Sequence, residues 1–197
     1  DDMEFDINDS HIVETLDNTL RDKDELKQLF ALDLLWTLPL HPWKNTLQHL
    51  FHHGSGQLKR AVLELAWNQP DILSDRLLLA SIKDESELAP FSLSCAGDRM
   101  IPGLKETAAP FLNNDNSTHS AAAAIAILKQ EPEYMEAKQI LDQLLKSDDP
   151  EILCSTIGFL RHAGEWISSD NMNRFLMHSN VNVKNETYHK IELEDEP

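Results

Sequence analysis

The sequence predicts an all-α fold, a row of helical hairpins stacked into an α–α superhelix of five to six units. Three observations carry that expectation. Apolar residues follow the 3.6-residue period of amphipathic helices along most of the chain, with little β-branched alternation and only 6 Gly in 197 residues. Proline, glycine and short polar runs cut this pattern into segments of helix length. Small residues return at a nearly fixed interval in every second segment.

The hairpin Pro42–Trp67 displays the plan most clearly. Leu47, Leu50 and Phe51 recur at helical spacing. Gly54-Ser55-Gly56 breaks the run, and Leu58, Ala61, Val62, Leu65 and Ala66 resume it on one face. The glycines are expected to supply backbone angles that other residues resist. Neither helix buries its apolar face alone, so a similar hairpin is needed on each side.

In chain order, Asp9 or Ser10 caps a first helix carrying Ile12, Val13, Leu16 and Leu20. After the charged turn Arg21–Asp24 comes a helix over Glu25–Leu38, with Leu26, Leu29, Phe30, Leu32, Leu34 and Leu35. It is apolar nearly all round, the pattern of a helix flanked on both sides. Pro39 and Pro42 bracket its exit, and Pro42 suits a first helical turn, where the missing N–H costs nothing. Beyond the central hairpin, Gln69-Pro70 interrupts the chain and Asp71–Lys83 is the next helix. Its partner, Ser86–Gly97, has Pro90 near its start and Gly97 placed to end it. Met100–Leu112 holds Pro102 and Pro110 and reads as irregular, and Asn113–Thr118 as a loop. Ser120–Lys129 has the strongest helix propensity, and its alanines imply close approach by neighbouring helices. Glu133–Lys146 is amphipathic. Asp148-Asp149-Pro150 opens Glu151–Ala163, which Gly164 closes. Ser168–His178 and a stretch from Val181 to about Ile191 complete the set. The expected organisation is an acidic lead-in at 1–9, a single domain at 10–191 and an acidic tail at 192–197.

The second helices align as FALDLL from Phe30, RAVLELA from Arg60, FSLSCAG from Phe91, AAAIAIL from Ala122 and TIGFLRHAG from Thr156. Taking Ala31, Ala61, Ser92, Ala123 and Thr156 as equivalent gives spacings of 30, 31, 31 and 33. Such a period means stacked hairpins, each unit touching its neighbours, with small residues where two helices come close.

The formal charge is −17, and it sits mostly at the ends: −8 over residues 1–25 and −4 over 186–197, against −5 for everything between. Acidic ends are usually solvated. The body has no basic stripe to replace the counterions of nucleic acid, so nucleic-acid binding is disfavoured. No apolar run approaches the roughly 20 residues that cross a bilayer. The chain starts without Met or a signal peptide, which suggests a piece of a longer protein. Cys95 and Cys154 lie far apart in helical segments and read as small reduced core residues, which suits a cytoplasmic setting. The N-x-Thr sequons at Asn116 and Asn185 are short enough to arise by chance.

The repeat resembles HEAT repeats. It departs from them in length, since HEAT and armadillo units usually run to about 40–47 residues. The signatures of tetratricopeptide and ankyrin repeats are absent. Within Ser10–Ala66 there is a narrower resemblance, carried by Ala31–Leu35, Leu50–Ser55 and Leu58–Leu65. These are similar to the ALDLL, LL-x-H-x-S and VR-x-A-AL-x-L pattern of the soluble HEAT-repeat segment in bacterial ATP/ADP-translocase-like, major-facilitator-like proteins. Lys59-Arg60 stands where that family has one Arg. The resemblance covers about a third of the chain; it implies a cytosolic appendage of a membrane protein, without a transport pathway or a nucleotide site.

Candidate chemistry is sparse. His49 and His53 share a helix face, as two metal ligands do, but no Glu follows His49 and no nearby Cys or Asp completes a site. A solvated helix end, with protonated histidine favoured by the macrodipole, is the plainer reading. No metal or other cofactor is expected. Di-iron hydroxylases of HEAT-like architecture use His-Glu dipeptides, which this chain lacks. HEAT-like DNA glycosylases use a basic groove, against the charge here. HEAT-like bilin lyases have too weak a signature to test. Trp36, Trp43, Trp67 and Trp166 read as packing residues near hairpin ends. Lys59, Arg60 and Glu64 are the candidate interaction surface, set against a salt-bridged surface between repeats of little energetic weight. Phosphate-binding loops, nucleophile elbows and C-x-x-C pairs are absent.

The expected function is therefore a non-catalytic scaffold. It presents a mildly acidic surface to a protein partner or to another domain of its own parent chain, and favours basic or amphipathic helical ligands. The alternative is a HEAT-like ligand-binding protein or enzyme, such as a lyase. A third reading is a purely structural spacer.

Overall fold

The computed structural model describes residues 9–82, 86–160 and 169–194. The expected acidic lead-in at 1–8, Trp166, the helix stop at Gly164 and the end of the tail at 195–197 lie outside the described residues. The described chain is all-helical, without a strand. No helix among the described residues is long and apolar enough to cross a membrane. The chain divides into two compact units, Asp1–Ala80 and Ser81–Pro197.

The first unit holds α1 (Ser10–Leu20), α2 (Glu25–Leu34), α3 (Lys44–His53) and α4 (Gly56–Leu65). Side-chain caps set three of the starts: Asp9 accepts from the His11 N–H, Asp24 from Leu26 and Ser55 from Leu58. A 3-10 turn, Leu35–Thr37, carries α2 into the proline segment, and a second one, His41–Trp43, leads into α3 with Pro42 in its first turn. α1 packs on α2, α3 on α4, and α2 on α4. Trp43 is 1% exposed, and its indole N–H donates to the Val13 carbonyl at 3.0 Å. Thr46 donates to Asp17, and Arg21 reaches both, at 3.0 Å to each. Ser55 Oγ donates to Glu25 at 2.7 Å.

Gly54 shows why that turn needs glycine. Its φ is −69°, an angle open to any residue, so the expected need for unusual backbone angles is not the reason. A Cβ there would stand 2.5 Å from the Leu50 carbonyl oxygen, and the constraint is space. At Gly56 a Cβ would meet nothing within 4 Å.

α5 (Asp75–Ile82) follows a turn in which Ile72 and Leu73 are buried; the helix expected from Asp71 starts four residues later, after Ser74 Oγ accepts from the Leu77 N–H. The second unit holds α6 (Ala89–Asp98), α7 (Leu104–Ala108), α8 (Ser117–Gln130), α9 (Met135–Leu145), α10 (Pro150–Phe159), α11 (Ser169–Leu176) and α12 (Val181–Glu194). Met100–Leu112, expected to be irregular, contains α7 and the 3-10 turn Ala109–Phe111. Gly103 precedes α7 at φ 76°, and Pro110 sits in the first turn of the 3-10 segment, so both breakers mark starts.

α8 is the centre of this unit. Its ten residues from His119 to Leu128 are all buried, and α6, α7, α9 and α10 all pack on it. Asn116 caps it through the Thr118 N–H. Gly97 lies inside α6 and does not end it: a Cβ there would be 3.0 Å from Ala126 Cα and 3.1 Å from its Cβ. The alanine run of α8 and Gly97 of α6 thus let two backbones approach. Asp98 pairs with Lys129 beside that contact. α9 packs on α10, α11 on α12, and α12 on α10. Buried Lys190 donates to the Leu160 carbonyl at 2.8 Å.

Seven of the side-chain hydrogen bonds within the units share a separation near 30 residues, while others span 23 to 37. Trp43–Val13, Thr46–Asp17 and Ser55–Glu25 are separated by 30, 29 and 30 residues. Lys129–Asp98, Gln130–Ile101, Arg174–Leu145 and Lys190–Leu160 are separated by 31, 29, 29 and 30.

Candidate functional site

α2 is flanked by α1 and α4, as its composition suggests, yet part of its surface is left open. Ala31 and Leu32 are buried, but Leu26 is 77% exposed, Phe30 64% and Leu34 43%. These three recur every four residues, so they share one stripe of the helix. Trp36, in the following 3-10 turn, is 57% exposed, which removes it from the packing role expected for it. Trp43 has that role instead.

Part of the stripe lines an open groove of about 310 Å³ between α2 and α4. Leu29, Phe30, Leu32 and Trp36 supply its apolar wall, Ala61 sits opposite, and Asp33 and Glu64 are its carboxylates. Ala61 is small and only half-buried, which keeps the groove open between the two helices. Arg60 Nε holds Glu64 at 3.1 Å, four residues along α4. Asp33 has no ion pair among the described residues.

The candidate surface of Lys59, Arg60 and Glu64 is thus divided. Glu64 lines the groove, Arg60 stands at its rim paired to Glu64, and Lys59 is half-buried outside the lining. Phe30, Asp33 and Trp36 complete the site and were not among the residues singled out from sequence. Their signal was present as the surplus of apolar residues around α2.

Elsewhere the polar groups form smaller sets. His49 and His53 are exposed with ring centroids 4.8 Å apart, and no group of three metal-ligating side chains occurs among the described residues. His119 is buried, stacks on Phe111 and donates from Nε2 to the Ser86 carbonyl at 3.1 Å. On the surface of the second unit, Lys105 pairs with Glu131 at 3.0 Å and lies 4.8 Å from the centre of the Tyr134 ring. The hydrogen bond it donates to Glu131 holds the Lys105 ammonium above its usual range, while partial burial pushes the Tyr134 hydroxyl up, helped by its bond to Glu136. Burial also raises the Cys154 thiol, with the Glu186 carboxylate adding to the effect.

Fold and site together define an all-helical chain bearing an open groove, apolar on one wall and acidic at its edges. No protein-family model matches the chain, and no curated protein matches it. Among solved structures, it is similar to the crystal structure of an engineered protein, at 15% identity and a TM-score of 0.48, over 93% of this chain and 98% of that one. A likeness of that degree carries no argument about function.

Proposed function

We propose that this chain is a non-catalytic helical-repeat scaffold of the HEAT-like class, an α–α superhelix that presents a surface to a protein partner or to another domain of its parent chain. The repeat reading is supported by seven side-chain hydrogen bonds whose separations of 29–31 residues lie within two of the sequence period. The single observation that carries the interaction role is the exposed apolar surface of α2, where the stripe of Leu26, Phe30 and Leu34 borders a groove that Phe30 and Trp36 line beside Asp33 and Glu64. Large apolar side chains clustered at a groove, with polar groups at its edge, are the usual anatomy of a docking surface. The parent chain in this proposal is a membrane protein similar to the ATP/ADP-translocase-like family, with this segment on its cytoplasmic side; the support is the match at Ala31–Leu35, Leu50–Ser55 and Leu58–Leu65.

The test is capture from source-cell lysate on the purified chain, with native mass spectrometry of the same preparation. A scaffold retains a specific protein and carries no bound small molecule. A stoichiometric small molecule or metal with no retained protein overturns the proposal in favour of a ligand-binding protein or lyase. The double variant Lys59→Glu/Arg60→Glu places the surface: capture altered in either direction implicates α4, and its sense reports the charge of the partner.

A further inference from the structure

We propose that the groove between α2 and α4 docks a basic amphipathic helix, which sets an apolar side chain against Phe30 and Trp36 and a Lys or Arg beside Asp33. This deepens the scaffold reading and rests on it. The dimensions suit a helix. The α2 wall of the groove runs from Leu29 to Trp36, which at a rise of about 1.5 Å per residue is roughly 10 Å, or about two turns. Phe30 also belongs to the exposed i, i+4 row of Leu26, Phe30 and Leu34, and such a row forms a ridge that packs beside a second helix.

Charge selects the occupant. Glu64 is already held by Arg60, but Asp33 faces the same groove without an ion pair among the described residues. A cation one turn from an apolar anchor satisfies both walls at once. Other occupants bring the wrong sign. A second copy of this chain carries −17, and an anionic lipid surface or a nucleic acid adds negative charge to the same carboxylates. The first eight residues of the chain include apolar Met3, Phe5 and Ile7 but also four acids and no base, so they match the wall and not the carboxylate.

The experiment uses the whole chain and a fluorescein-labelled synthetic peptide of about three to four helical turns, with Leu on one face and Lys on the other. A counterpart has Glu in place of every Lys. Anisotropy titrations at about 0.15 M salt damp attraction that is merely long-range. The Lys peptide binds and the Glu peptide does not. Asp33→Lys and Trp36→Ser each weaken binding by about tenfold or more, as loss of a charge partner or an aromatic anchor does. Glu133→Lys, at a position 90% exposed in the second unit, makes the same change in net charge and leaves affinity within about twofold. Lys59→Glu, beside the groove, strengthens binding. Circular dichroism melts of the variants, all at exposed or half-buried positions, verify that each is folded. Failure of the Lys peptide to bind overturns the docking proposal. So does equal weakening by Asp33→Lys and Glu133→Lys, since bulk charge then explains the attraction. A protein retained from lysate in either case leaves the scaffold reading standing without this groove; a stoichiometric small molecule or metal with no retained protein ends both.

Discussion

Lys190 is fully buried and donates at 2.8 Å to the carbonyl of Leu160, thirty residues before it. Leu160 is the C-cap residue just past α10, where the last carbonyls have no partner within the helix. The long side chain from α12 supplies one. Lys190→Ala therefore leaves a buried acceptor and a void, and is expected to destabilise the second unit by about 1–3 kcal/mol or more. Lys190→Met keeps the volume and isolates the lost hydrogen bond. Urea unfolding of the two variants separates the contributions; equal stability of Lys190→Ala and wild type would sink the idea.

Two glycines in contrasting surroundings give opposite signs. Gly97→Ala pushes a methyl to 3.0 Å from the Ala126 Cα, where backbone must yield, and costs about 1–3 kcal/mol. Gly56→Ala has open space, and at the start of α4 it gains about 0.5–1 kcal/mol through helix propensity and a less free unfolded chain. Melting curves of the two variants check both signs.

Two tryptophans seven residues apart behave differently on the same change. Trp43→Phe removes the donor to the Val13 carbonyl inside the core and costs about 1–3 kcal/mol. Trp36→Phe lies at an exposed position in the groove and shifts stability by less than about 0.5 kcal/mol. Denaturant midpoints of the pair settle whether Trp36 is free of a packing role.

The Cys154 thiol is held up first by burial and then by Glu186. The unfolded chain gives up that proton at lower pH than the folded chain does. Stability is therefore unaffected well below the ordinary thiol range and falls as pH rises through about 8.5 and beyond. Cys154→Ala removes this slope. Unfolding measured on both proteins across that range gives parallel curves if the thiol stays protonated equally in the two states.

Helix placement was legible because it rests on local chemistry. Of the two caps expected for the first helix, Asp9 and Ser10, Asp9 is the one used; the Asp148-Asp149-Pro150 opening holds, with Asp149 as the cap; and Pro42 and Pro90 sit in first turns. The Met100–Leu112 stretch misled because Pro102 and Pro110 look like breakers in a linear reading, whereas proline is tolerated where a short helix begins. Gly54 and Gly97 were rightly picked out for the wrong reason: both are demanded by a neighbouring group, a carbonyl in one case and Ala126 in the other. Such demands have no one-dimensional signal. The groove was half legible. Arg60 and Glu64 stood out as charges on an otherwise apolar helix, while Phe30 and Trp36 were indistinguishable from core residues until their exposure was known. Hydrophobic period reports which side chains share a face, not whether anything covers it.

The separation shared by seven of the side-chain hydrogen bonds bears on how the chain folds and varies. Each of those bonds closes a loop of 29–31 residues, so the entropy lost in making it is similar for all. Contacts of such limited span favour rapid folding within each unit. They also set a rule for length variation. Adding or removing a few residues between the two ends of one such bond, as between Asp98 and Lys129, moves its donor away from its acceptor, while the bonds that do not straddle the change keep theirs.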